Sequence, residues 1–158
     1  MTEVNPVSDT PETLKSNLIE MLEETFEKPQ GYYLDRPKGG LLATLEAINA
    51  ETASREIGLQ RSIAAHVTHL RVYVTALHGY MNGATGKTDW EASWATHAVT
   101  GLEWTTLLEG LRNEYASLMR DLREIPDGDI RLAESMAILA HTAYHFGAIR
   151  QLLLGIEA

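Results

Sequence analysis

His141 and His145 lie four residues apart in the stretch AHTAYHFGAIRQ, which otherwise has the pattern of an apolar helix. On an α-helix this spacing places the two imidazoles about 40° apart on one face. Neutral imidazole binds divalent metals, with metal–nitrogen bonds of about 2.0–2.1 Å. Unpaired imidazoles in a core would instead cost free energy. The pair therefore indicates either two hydrogen-bonded core histidines or half of a metal site, and alone it favours neither.

His66 and His69 lie in a second helical stretch, SIAAHVTHLRVYVTALHGYM, within or at the edge of its apolar arc. An inward histidine from a second helix, added to the pair on the first, favours a metal site over core histidines. Three imidazole ligands leave one coordination position open, which is typical of catalytic rather than structural sites. The residues alone do not decide whether His66 or His69 is the third ligand.

The residues present exclude several other metal motifs. The chain has no cysteine, so it has no thiolate ligand, no disulfide and no cysteine nucleophile. A zincin motif requires Glu directly after the first histidine, where this chain has Thr142. The Glu-x-x-His pairs of a ferritin-like di-iron site do not occur. Glu134 shares the strip of His141 and is the one obvious inward carboxylate. It is a candidate for a base or an orienting group, although a glutamate at the edge of the surface is the more common interpretation.

Several other side chains have a less specific interpretation. Tyr144 and Arg150 are candidates to line a pocket, although packing and solvation explain them equally well. The loop YYLDR, residues 32–36, either covers a site or caps the end of the fold with Tyr32 and Tyr33. His78 lies near the end of its helix, off the strip of His66 and His69, and His97 lies in a linker. Both are expected to be ordinary surface or boundary residues.

Four long helical patterns carry these residues, at about residues 10–28, 62–81, 100–124 and 130–154, and strand patterns are almost absent. A short helix is expected in LLATLEAINA, residues 41–50. The predicted signals at the ends are an N-cap at Thr10 followed by Pro11, a capping box of Thr100 and Glu103, an N-cap at Asp129 and a stop at Gly155. The pattern predicts an all-α fold, a four-helix bundle with an extra short helix before the second long helix, in a single domain over residues 1–158.

The apolar faces of these helices predict what they bury. In the first helix Glu20, Glu23, Glu24 and Glu27 are expected to face away from the apolar residues. The third helix has an apolar face of Leu107, Leu111, Tyr115, Leu118 and Leu122. The last helix is apolar nearly all round, so a bundle covers only one of its sides. A second subunit is expected to cover the other side, which predicts a homodimer.

The charge of the chain argues against two classes of partner. The formal net charge is −9, from 22 acidic and 13 basic residues, and the lysines and arginines form no cluster. Binding to nucleic acid or to an anionic membrane surface requires a basic patch. The N-terminal residues lack the features of a signal peptide. We therefore expect a cytoplasmic protein that binds neither nucleic acid nor membrane.

The two stretches that carry the histidines resemble the DinB/YfiT-like metalloenzyme family. SIAAHVTHL is similar to the second-helix pattern of that family, and HTAYHFGAIRQLL is similar to its last-helix pattern, His-x-x-x-His followed by x-Gly-Gln-Ile. The resemblance covers roughly residues 40–154. It implies His69, His141 and His145 as the metal ligands, with His66 as a substitute ligand or as a neighbour of the ligands. Ala148 stands where the family commonly has Gln, so a role for that amide is missing here.

The resemblance also implies a function class. Members of the family are four-helix bundles, often dimeric, that bind a divalent metal such as zinc or nickel, and some transfer a small-molecule thiol. It thus implies a metal-dependent thiol S-transferase or hydrolase acting on a small-molecule substrate, with a low-molecular-weight thiol as a second cofactor. The alternative is a non-catalytic stress-related or interaction protein in which metal is structural or absent.

Overall fold

The computed structural model describes residues 13–157, and all of its regular structure is helical. The six α-helices are α1 Leu14–Phe26, α2 Leu41–Glu46, α3 Ala50–Ser54, α4 Ile63–Met81, α5 Gly101–Glu124 and α6 Leu132–Glu157. A single 3-10 turn spans Ala92–Trp94 between α4 and α5. The described residues contain no strand, so the prediction of an all-α fold is confirmed. The expected short helix before the second long helix is α2, and α3 follows it.

Local capping residues fix the starts of α4 and α5 close to where the sequence predicts that these helices begin. Ser62 precedes α4 and its hydroxyl accepts a hydrogen bond from the amide of Ala65. Thr100 and Glu103 form the predicted capping box at the start of α5. Such caps satisfy amide groups that the first helical turn leaves unpaired. The predicted apolar face of α5 is buried throughout.

The first and last helices, α1 and α6, begin or end at other residues than predicted. α1 is capped by Thr13, which forms a reciprocal pair of hydrogen bonds with Ser16. The predicted cap at Thr10 and Pro11 lies outside the described residues. α6 begins at Leu132, because Asp129 closes a turn by accepting the amide of Arg131 instead of capping the helix. The predicted stop at Gly155 is wrong, since α6 continues to Glu157.

Glu24 on α1 corrects the expectation that the acidic residues of this helix face away from the core. Its side chain is 0% exposed. The carboxylate accepts hydrogen bonds from the backbone amides of Tyr32, Tyr33 and Leu34, at 2.7–3.0 Å. The loop that leaves α1 therefore folds back over a buried carboxylate, which supplies acceptors for three amides in one turn. The side-chain hydroxyl of Tyr33 also forms a hydrogen bond with the hydroxyl of Thr25, at 2.5 Å. The loop is thus fixed against the C-terminal end of α1.

Helix α4 lies at the centre of the packing. It contacts α6, α5, α3 and the 3-10 turn, while α1 packs on α5 and α6 from the other side. α4 and α6 run in opposite directions, because His66 meets His145 near one end and Met81 meets Ser135 near the other. Among the described residues, no helix is both long enough and apolar enough to cross a membrane.

Candidate metal centre

Three of the predicted ligands converge between α4 and α6. His69 on α4 and His141 and His145 on α6 offer ligand nitrogens that all lie within 4.8 Å of one another. His69 and His145 are buried, and His141 is half-buried. The i,i+4 spacing places His141 and His145 on one face of α6. The antiparallel packing of α4 then brings His69 opposite that face. The three residues lie close together and could hold a metal ion.

The distance between two of the nitrogens suits a shared cation. Nε2 of His69 lies 3.1 Å from Nε2 of His141. A tetrahedral zinc ion with bonds of about 2.05 Å holds two ligand nitrogens about 3.3 Å apart. The two nitrogens therefore need to move apart by only a few tenths of an ångström to bind one ion. Without an ion, one of them must carry a proton and donate it to the other.

Ser93 determines which nitrogen of His69 carries the proton. The Ser93 hydroxyl lies 2.6 Å from the carbonyl oxygen of Trp90 and donates to it, because a carbonyl can only accept. The same hydroxyl oxygen lies 2.6 Å from Nδ1 of His69, so it accepts there and Nδ1 must donate. Neutral His69 then has its lone pair on Nε2, the atom that faces His141. A hydrogen bond of this kind orients metal-binding histidines and fixes their tautomer.

His66 lies next to the group of three histidines and contacts one of its members. Its Nδ1 lies 2.9 Å from Nδ1 of His145, and it does not belong to the converging group of three. This geometry suits a neighbour that orients His145. The choice of His69 over His66 as the ligand nevertheless stays a prediction.

Aromatic rings enclose the cluster on two sides. Trp94 stacks on His69, with ring centroids 3.9 Å apart and planes 11° apart. Tyr73 stacks on His141, with centroids 3.6 Å apart and planes 15° apart. Ser93 and Trp94 belong to the 3-10 turn, in a segment that the sequence presents only as a linker. Sequence reasoning missed Ser93, Trp94 and Tyr73 as neighbours of the histidines.

The surroundings keep the histidines neutral, which is the form that binds metal. Burial, followed by the neighbouring histidines, lowers the pKa of His145 to about 3. Burial, and then the charge of His69, lowers the pKa of His141 to about 4. The pKa of His66 and that of His69 are lowered by burial and then by nearby positive groups. At neutral pH no proton has to be removed from these rings before a cation binds.

The other predicted residues lie around or away from the centre. Tyr144 is 73% exposed and meets the ring of His145 edge-on, with centroids 5.1 Å apart. Arg150 lies over the ring of Phe146, 4.5 Å from its centroid, and donates to the carbonyl of Gly39. Glu134 is half-buried, and its Oε2 has no hydrogen-bond partner among the described residues. The structure shows no contact between Glu134 and the histidines.

His78 corrects the expectation of an ordinary surface or boundary residue. It is only 6% exposed and lies between two carboxylates of α5. Its Nδ1 is 2.6 Å from Glu114 and its Nε2 is 2.8 Å from Asp121. The contact lowers the pKa of Asp121, first through the hydrogen bond from His78 and then through that from Asn82. His97 is exposed, as predicted.

Comparison of the chain with protein-family models, with curated proteins and with solved structures gives no match. Over residues 13–157 the structure defines an all-helical protein with a cluster of three histidines, two buried and one half-buried, that could bind metal. The DinB-like resemblance therefore stays a prediction that depends on two short motifs.

Proposed function

We propose that this chain is a divalent-metal-binding protein whose ion is held by His69, His141 and His145, in a four-helix bundle of the DinB-like kind. The observation that carries the proposal is the orientation of His69. Ser93 fixes its proton on Nδ1, and the remaining lone pair points at a second imidazole nitrogen 3.1 Å away. Zinc and nickel are the ions of choice, because both accept imidazole ligands.

The proposed activity is metal-dependent transfer of a small-molecule thiol, or hydrolysis, on a small-molecule substrate. A divalent ion on three neutral imidazoles lowers the pKa of a bound water or thiol and so supplies a nucleophile near neutral pH. The thiol must come from a small molecule, because the chain has no cysteine. Trp94 and Tyr73 hold the rings of His69 and His141 in place and keep water away from two sides of the centre.

A second candidate has its own support. In the absence of metal the four histidines can satisfy each other through two hydrogen bonds, between His69 and His141 and between His66 and His145. No carboxylate contacts the histidine cluster among the described residues to act as an acid or a base. These observations favour a non-catalytic stress-related or interaction protein in which metal is structural or absent.

Metal content separates the two candidates. The untagged protein is purified, reconstituted with Zn²⁺ or Ni²⁺, and analysed by mass spectrometry of the metal. We expect about one ion per chain, with loss of the ion in His141→Ala and retention in His97→Ala, an exposed histidine outside the cluster. A content well below one ion per chain after reconstitution contradicts the metal site. If the ion binds but neither thiols nor hydrolysable esters change the absorption spectrum of the Co²⁺-substituted protein, the non-catalytic candidate is favoured.

We also propose that the protein is a homodimer and that α6 forms its contact surface. Met136, Ala140, Tyr144 and Gly147 recur at helical spacing and are all exposed. A Cβ added at Gly147 would meet nothing within 4 Å, so this stretch of α6 is open to a partner. The four residues are uncharged, which limits repulsion between two chains of net charge −9. Light scattering at micromolar concentration tests the proposal, and Tyr144→Lys should convert the dimer to a monomer. A monomeric wild-type protein contradicts it.

A further inference from the structure

A pocket of about 350 Å³ lies directly beside the histidine cluster. The end of the segment before α4 lines one side with Gln60 and Arg61, and α6 lines the other with Ala148 and Gln151. His66 forms part of the wall, and its Nδ1 lies 2.9 Å from Nδ1 of His145. One imidazole therefore separates the pocket from a ligand of the proposed metal centre.

The small side chain of Ala148 helps to keep this pocket open. Ala148 is half-buried and lines the pocket, and its side chain is a single methyl group. A longer apolar side chain at residue 148 would extend into the same space. The pocket is open to solvent, because Gln60, Arg61 and Gln151 are exposed, so a small molecule can reach it.

Arg61 gives the pocket its charge. Its guanidinium lies 4.1 Å from the centroid of a Trp94 ring, and Trp94 also stacks on His69. Within residues 13–157 no carboxylate lies at ion-pair distance from Arg61. In a chain with 22 acidic and 13 basic residues, this guanidinium is available to an external anion.

Two side-chain amides, those of Gln60 and Gln151, line the pocket together with Arg61. Arginine presents N–H groups in a planar fork that matches the two oxygens of a carboxylate. Gln60 and Gln151 each offer an NH₂ donor and a carbonyl acceptor. The aromatic face of Trp94 holds the guanidinium against one surface, so less freedom is lost when an anion binds.

We propose that this pocket binds the carboxylate group of a small-molecule substrate, with Arg61 as its principal contact and Gln60 and Gln151 as secondary contacts. The role as a substrate subsite rests on the proposed function, because a molecule held here would lie one imidazole, that of His66, away from a ligand of the proposed metal centre. The binding of the carboxylate itself does not require a metal. The two parts of the inference can therefore fail separately.

The test uses the full chain and two probes of nearly equal shape, propionate and its neutral amide, propionamide. Each is titrated into ¹⁵N-labelled protein at constant ionic strength while the backbone amide shifts are followed by NMR. We expect propionate to shift the amides of Arg61, His66 and Gln151, with a dissociation constant on the order of millimolar, as for a small ligand held by one ion pair. Propionamide should leave them unchanged at the same concentration.

Three variants assign the binding to this pocket. Arg61→Gln should weaken propionate binding about tenfold, because it removes the charged partner of the hydrogen bonds. Ala148→Leu should weaken it by a similar factor by filling the pocket while Arg61 remains. Arg55→Gln removes the same charge from an exposed arginine that does not line the pocket, and it should bind propionate like the wild type. Circular dichroism shows whether each variant retains its helical content.

The titrations and the metal content together separate the carboxylate pocket from the metal centre. Equal binding of propionamide, an unchanged affinity in folded Arg61→Gln or Ala148→Leu, or equal weakening in Arg55→Gln overturns the proposal. Metal content is measured on the same samples and should be the same in Arg61→Gln as in the wild type. If the wild type holds no metal but propionate binds as expected, the pocket stands and the proposed function fails. If metal binds and propionate does not, the pocket fails and the metal centre stands.

Discussion

Replacing Ser93 with alanine separates the orientation of a ligand from the presence of that ligand. The substitution leaves His69, His141 and His145 in the chain but removes the hydroxyl that accepts from Nδ1 of His69 at 2.6 Å. Both residues are buried, so bulk water does not readily replace the lost partner. Neutral His69 can then place its proton on Nε2, where it blocks the lone pair that would bind the ion.

The expected loss of metal affinity in Ser93→Ala can be estimated from the role of hydrogen bonds to metal-binding histidines. Loss of a hydrogen bond to the outer nitrogen of a metal-binding histidine costs about 10–100-fold in metal affinity. This corresponds to about 1.4–2.8 kcal/mol of binding free energy. Because the hydrogen bond is short and buried, and because Ser93 is itself held by the carbonyl of Trp90, we expect the upper half of that range.

The assay is a competition titration of Zn²⁺ between the protein and a chelating indicator at pH 7.5. Ser117→Ala is the matched control, because Ser117 lies on α5 and its hydroxyl accepts a hydrogen bond from the exposed Arg120. ¹⁵N NMR of the imidazole nitrogens of the metal-free protein reports the tautomer of His69 directly. An affinity within twofold of the wild type, together with an unchanged His69 tautomer in Ser93→Ala, would refute the reasoning, as would an equal loss in Ser117→Ala.

Three further predictions test the fold and the electrostatics. Glu24→Gln should lower the free energy of unfolding in urea at pH 7 by about 1–3 kcal/mol, because an amide cannot accept from three backbone N–H groups. Burial raises the pKa of Glu24, but hydrogen bonds from the amides of Tyr33, Leu34, Tyr32 and Gln30 lower it overall. The stabilisation by the Glu24 carboxylate is therefore present above pH 4.5 and is lost as the pH falls through the lowered pKa. The difference in the free energy of unfolding between wild type and Glu24→Gln should accordingly shrink in acid. A difference that stays constant with pH contradicts this. Gly40→Ala should lower the free energy of unfolding by about 1–3 kcal/mol in the same assay, because a Cβ at Gly40 would meet the backbone of Glu27 at 2.7–2.8 Å. Gly86→Ala is the control and should change the free energy of unfolding little, because a Cβ at Gly86 would meet nothing within 4 Å. Zinc affinity, measured with a pH-tolerant chelator, should not fall steeply around pH 6.5. Burial lowers the pKa of His141 to about 4 and that of His145 to about 3, and it also lowers the pKa of His69. A steep loss of affinity around pH 6.5 contradicts this prediction.

The sequence predicts those parts of the fold that local chemistry determines. α4 and α5 begin where Ser62 and Thr100 can cap them, and a capping residue acts on amides only two or three positions away. The convergence of His141 and His145 follows from helical spacing in the same way. Gly155 shows the limit of such signals, because packing continues α6 through a residue that commonly ends helices.

Residues whose role depends on another segment could not be predicted from periodicity. Glu24 lies on a polar stripe of α1, and its burial results from a loop that returns to it eight to ten residues later. His78 is buried because α5 presents Glu114 and Asp121 to its two nitrogens. Ser93 and Trp94 have no periodic pattern, yet they complete the histidine cluster. In each case a contact between distant segments decides the environment of a polar group.

His69 and His141 fit two arrangements, which differ in the position of one proton on His141. Without metal, Nε2 of His141 must donate to Nε2 of His69, because Ser93 keeps the proton of His69 on Nδ1. An ion held by both Nε2 atoms would require the proton of His141 to lie on its Nδ1, so that each Nε2 could offer a lone pair. Neither ring changes its charge, and the two nitrogens are already close to the spacing that an ion requires. The rearrangement that metal binding would require of these two rings is therefore small, because the contact that satisfies them as a hydrogen bond already has nearly the spacing of two zinc ligands.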